Sequence, residues 1–136
     1  MPFQEMLKTL KIDKLIYKLN AFTMKKFIVL YHAPAHAMNQ TDNMKPENQA
    51  KSMEAWMQWA KNCGDKIVDL GSPLINGQQL SSDVHSKNSD NNVVGYSILQ
   101  TENMDEAKAL LENHPFLGES ADFSIEVHET MPLPGM

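Results

Sequence analysis

The chain of 136 residues holds a single cysteine, Cys63, so no intramolecular disulfide can form and a reducing cytoplasm is the simplest expected setting. Long apolar runs are missing too: nothing approaches the roughly 20 residues of a membrane-spanning helix, and no secretory apolar region is present. Positive charge is outweighed, with a formal net charge of −5 and a pI of about 5.4. That balance argues against nucleic acid as the main partner. The five histidines have no cysteine neighbours, which makes a structural zinc site unexpected. No P-loop or dinucleotide fingerprint occurs. Neither a metal nor a cofactor is therefore expected. What is left is ordinary: 42% hydrophobic residues, at a length suited to one domain with one core.

Residues 1–23, "MPFQEMLKTLKIDKLIYKLNAFT", differ from the rest. Lys8, Lys11, Lys14 and Lys18 stand against Glu5 and Asp13, with Leu7, Leu10, Leu15, Ile16, Leu19 and Phe22 loosely on one helical side. Such a basic amphipathic helix can lie on a membrane surface. The simpler expectation is a dispensable extension, because "MKKFIVLY" from Met24 runs from a polar start directly into a strand.

From residue 24 onward, elements alternate. "KFIVLYH" is strand-length and apolar on both alternating sets, as a central strand would be. "PAHAMNQTDNMK" reads as loop. Pro46 suits the first position of a helix through "ENQAKSMEAWMQWAKNC", where Ala50, Met53, Trp56, Met57 and Ala60 form a stripe and Gly64 closes the end. "KIVDLGSPL" is a second strand. Residues 76–92 are polar and read as a mobile, structureless connection. "VVGYSILQT" is a third strand. Asn103 with Glu106 makes a capping box for a second helix carrying Met104, Ala107, Leu111 and His114 on one face. Pro115 is read as ending that helix. "DFSIEVHE" alternates as a fourth strand before the tail "MPLPGM".

The order β-α-β-β-α-β is the ferredoxin-like arrangement, an α+β fold with a four-stranded antiparallel sheet and both helices on one face. The opposite face is left partly apolar, so a homodimer closing face to face is expected.

Four segments carry a resemblance: "MKKFIVLYHAP", "MEAWMQWAKNCGDKIVDLGSPL", "VVGYSILQTENMDEAKALLENHPF" and "IEVHETMPLPGM". Across residues 24–136 the chain resembles the YCII-related domain family. The resemblance implies a ferredoxin-like subunit, a dimeric α/β barrel and a pocket between sheet and helices. It also implies that some relatives use a histidine on the first helix with an aspartate before a Pro-aromatic pair. This chain departs from that dyad. The first slot falls near Glu54 or Ala55, and His114 stands where the aspartate would be.

Two functions follow as expectations. One is a small-molecule-binding module, accessory or regulatory, without turnover. The alternative is an isomerase or lyase that moves a proton on a small enolisable or aromatic compound. In the second, His114 is the general acid/base and Glu54 its orienting carboxylate, since such a partner raises an imidazole pKa toward neutrality. The ligand-binding candidates are His32, Tyr96, Trp56 and His128. Each has a plainer reading. His114 favours a helix C-terminus or sits in the core, and Trp56 and the methionines line core and groove. Ser124, Glu126 and His128 form a solvated or dimer-buried polar face. His32 and His36 lie four apart, but Pro34 prevents the helix that would join them on a metal.

Overall fold

The computed structural model describes residues 24–36, 45–83 and 85–134. The basic segment 1–23 and residues 37–44 of the expected loop lie outside them. Strand β1 (Lys25–His32) leads to helix α1 (Pro46–Cys63) and a 3-10 turn at Gly64–Lys66, then to β2 (Ile67–Asp69). A hairpin of β3 (Gln78–Leu80) and β4 (Ser86–Asn88) follows, then β5 (Val93–Thr101), α2 (Met104–Leu111), α3 (Pro115–Glu119) and β6 (Ser124–Glu129).

Four strands form an antiparallel sheet in the order β2-β5-β1-β6, so the first strand lies between the last two long ones. That is the split arrangement expected for a ferredoxin-like α+β domain. Alternation assigns the two faces. Phe27, Val29 and Tyr31 of β1 and Ser97, Leu99 and Thr101 of β5 are buried against the helices. Trp59 and Cys63 from α1, Ala107 and Leu111 from α2, and Phe116 from α3 complete one core. Burial raises the Cys63 thiol pKa, leaving it an inert apolar filler.

Local signals explain the boundaries. Pro46 occupies the first turn of α1, and Gly64 stops it at φ 60°. Asn103 Oδ1 accepts from the Glu106 amide at 2.8 Å, capping α2. The Glu106 carboxylate accepts in return from the Glu102 amide at 3.0 Å, one residue earlier than a capping box requires. Trp59 Nε1 donates to the Leu110 carbonyl at 2.8 Å, tying α1 to α2.

Three expectations are corrected. Residues 76–92 are not structureless, because Gln78–Leu80 pairs with Ser86–Asn88 in a separate two-stranded sheet. Its side chains are exposed, so no apolar pattern announces it. The second strand is only three residues long, with the chain beyond it reattached by a single bridge between Pro73 and Gly95. Pro115 starts a helix rather than merely ending one. It sits in the first turn of α3, where its missing N–H is no loss.

Candidate functional site

A cleft of about 350 Å³ opens between α1 and the segment 70–73. Tyr31 and Trp56 are aromatic walls, and Met53 and Met57 border it from α1. The methionines are 63% and 53% exposed, a large apolar surface that no described residue covers. Gly95 shapes the opposite side. It pairs with Tyr31 across β1 and β5, and a methyl there would lie 3.3 Å from both the Ser72 carbonyl oxygen and the Tyr31 ring. With hydrogen in place of a side chain, the space stays open.

The 70–73 wall is pinned along its length. Asp69 Oδ1 accepts from the Gly71 amide at 2.9 Å, Ser97 Oγ donates to the Leu70 carbonyl at 2.6 Å, and Leu74 N–H donates to Val94 O at 2.9 Å. Gly71 has φ 84°, and a Cβ there would sit 1.7 Å from the Tyr96 carbonyl oxygen. Only glycine fits so close a backbone crossing.

His114 lies one layer behind the cleft. Its side chain is 2% exposed, and its ring centroid is 4.3 Å from Trp59, 4.4 Å from Trp56 and 5.1 Å from Tyr31. Nδ1 accepts from the Phe116 amide at 3.0 Å, capping α3. An acceptor nitrogen carries no proton, so the proton of the neutral ring is on Nε2. That group then donates to the Tyr31 hydroxyl at 3.3 Å, which in turn donates to Ser97 Oγ at 2.8 Å, and Ser97 is already donating to Leu70. The chain has one direction from end to end. Burial pushes the His114 pKa down to about 4 and that of Tyr31 up to about 12, the latter against the pull of the Ser97 hydrogen bond. Both groups are neutral near pH 7, as a closed polar network in a core must be.

The six residues singled out in the sequence fall into separate places. Trp56 and Tyr96 line the cleft, although the Tyr96 hydroxyl is bonded to Asp69 Oδ2 at 3.1 Å. His114 supports it from beneath. Glu54 is exposed and does not border the cleft, and both His114 nitrogens are taken by other groups, so the expected His114–Glu54 couple is not formed. His32 and His128 are not cleft residues either. Alternation turns them to the other side of the sheet, where both approach Glu126: His128 Nε2 at 2.7 Å and His32 Nε2 at 3.8 Å. His32 Nδ1 donates to the Asn91 carbonyl at 2.9 Å, and its Nε2 is buried without a hydrogen bond. His36 is exposed near Asp122. Among the described residues no group of three histidine, cysteine or acidic side chains is placed to hold a metal ion.

One cleft residue gave no signal in the sequence. Glu119, the last residue of α3, borders the opening, with the Ser52 hydroxyl of α1 donating to its carboxylate. The residue is exposed overall; partial desolvation by neighbouring protein raises its pKa, and the Ser52 bond draws it partly back. Only an α3 in place of a loop after Pro115 carries Glu119 to this position, and the periodicity of a five-residue helix is too short to read.

No family model matches the chain, and no curated protein does. A solved structure is similar to it: 5-chloro-2-hydroxyhydroquinone dehydrochlorinase (TftG) from Burkholderia phenoliruptrix, in complex with 2,5-dihydroxybenzoquinone. The TM-score is 0.47 at 18% identity, covering 78% of this chain and 93% of that one. A likeness that distant says nothing about the chemistry of this cleft.

Proposed function

We propose that the chain is a small-molecule-binding protein of the YCII-related type, acting as a homodimer and holding an organic ligand against α1. One observation carries this reading: a glycine-floored, aromatic-walled cleft of about 350 Å³ whose methionine rim is uncovered. That volume is at the lower end of small-molecule sites, so a ligand of one or two rings fits. Thioether side chains adapt to such a ligand without a fixed shape of their own.

Binding without turnover is supported by the state of His114. A general base needs a free lone pair within reach of the substrate. Here the Nδ1 lone pair is held by the Phe116 amide and the ring is screened by Tyr31 and Trp56. The isomerase or lyase alternative with His114 as its acid/base would have to break that arrangement.

The experiment is a titration with 4-methylphenol followed by protein NMR. The Gly95 amide and the Met53 and Met57 methyl signals should move together, and Trp56→Ala should weaken binding at least fivefold. If the compound moves only residues on the far side of the sheet, or none, the cleft is not the ligand site.

A further inference from the structure

Among the described residues that border the cleft, only Glu119 has a side chain charged near pH 7. No lysine is among them, and the whole chain contains no arginine. The fork that grips a carboxylate or phosphate at two points is therefore not supplied by these 136 residues. The sign of the site is negative.

The carboxylate of Glu119 is also prepared for a partner. Ser52 bridges to it from α1, which fixes its direction, yet one hydroxyl fills only part of the capacity of two carboxylate oxygens. Glu119 is exposed overall, but neighbouring protein removes part of its water, and such an anion gains more from a charged donor than a fully hydrated one. The walls act in the same sense. Tyr31 and Trp56, with ring centroids 5.0 Å apart at an interplanar angle of 60°, both border the opening. The face of such a ring attracts a cation and repels an anion, which finds a favourable field only at the ring edge.

From this juxtaposition of one serine-held carboxylate and two aromatic walls, we propose that the cleft selects an organic ammonium: an apolar, ring-sized body bearing a protonated amine, with Glu119 accepting its N–H. This rests on the cleft being the ligand site and adds the ligand's chemical class. Carboxylate and phosphate compounds are disfavoured by the same charge. The neutral phenol is an intermediate case, binding through the walls alone.

Three compounds of one shape provide the test: 4-methylbenzylamine, 4-methylphenol and 4-methylbenzoate, each titrated into the full chain at pH 7 and followed at the Gly95 amide and Trp56 indole N–H. The amine should bind at least tenfold tighter than the benzoate. Glu119→Gln should cut amine affinity about tenfold and leave the phenol within twofold. Ser52→Ala, which keeps the charge but loosens its hold, should give a smaller loss for the amine. Equal affinities of amine and benzoate for the unmodified chain would overturn the proposal, whatever the variants do. So would a Glu119→Gln protein that is folded and binds the amine unchanged, and in both cases the cleft would still stand as a ligand site. If none of the three compounds moves the two signals, cleft and ligand class fall together.

Discussion

His114 gives its two ring nitrogens opposite duties, one accepting from Phe116 and one donating to Tyr31, and the first fails if the ring takes a second proton, because Nδ1 can then no longer accept. Its folded pKa of about 4 lies below the ordinary 6.5, so between these values the unfolded chain binds a proton that the folded chain refuses. Stability is therefore complete above about pH 6.5 and falls as pH drops through the window, by up to about 3 kcal/mol. His114→Asn retains a cap acceptor but cannot titrate. Urea unfolding at pH 7 and pH 4.5 should show the unmodified protein losing about 1–3 kcal/mol more than the variant over that interval. Tyr31→Phe removes the middle of the network and strands the buried His114 Nε2–H, while Ser97 keeps its bond to Leu70, at a cost of about 1–3 kcal/mol in the same assay. The sequence showed that a histidine precedes Pro115. It did not show the role, because a capping acceptor and a catalytic base are the same imidazole until its neighbours are known.

Elements written by strong local chemistry were legible, and those written by distant contacts were not. The third strand was readable to the residue because β-branched, aromatic and aliphatic residues run from Val93 to Thr101 after a polar stretch, and α2 because Asn103 announces its start. Asn103→Ala should cost about 1 kcal/mol, read as a lower melting temperature without a change in fold. The 70–73 wall was opaque: its course depends on a crossing under Tyr96 that no local pattern encodes. Gly71→Ala would place a methyl inside the Tyr96 carbonyl oxygen, at 1.7 Å, as well as straining a φ of 84°. That variant should lose several kcal/mol or displace the wall, whereas Gly64→Ala, with nothing within 4 Å, should cost only about 1–2 kcal/mol. Comparing the two melting temperatures separates steric exclusion from backbone strain. Glu119 was missed for a related reason, since its place depends on a helix too short to have a period.

For the molecule as a whole, the ferredoxin-like arrangement followed from element order, and the described residues bear it out with a sheet in the order β2-β5-β1-β6. The sheet face without helices remains the basis for expecting a second copy. Ile28 is 39% exposed there, and Leu30 and Ile98 lie on the same side, with the Glu126 and His128 pair beside them. Sedimentation at micromolar concentration should give a dimer. Leu30→Glu, aimed away from the core, should give a folded monomer, and an unmodified chain that sediments as a monomer would remove the face-to-face pairing.

Trp56 and Trp59 are the only tryptophans in the chain, and both rest on the one imidazole of His114. Excited indoles lose their energy efficiently to a charged imidazole in contact and poorly to a neutral one. The protein therefore carries its own light source for its most consequential ionisation: emission should dim along an acid titration in step with His114. A molecule entering beside Trp56 should alter the emission of one lamp and leave the other, buried and bonded to the Leu110 carbonyl, unchanged.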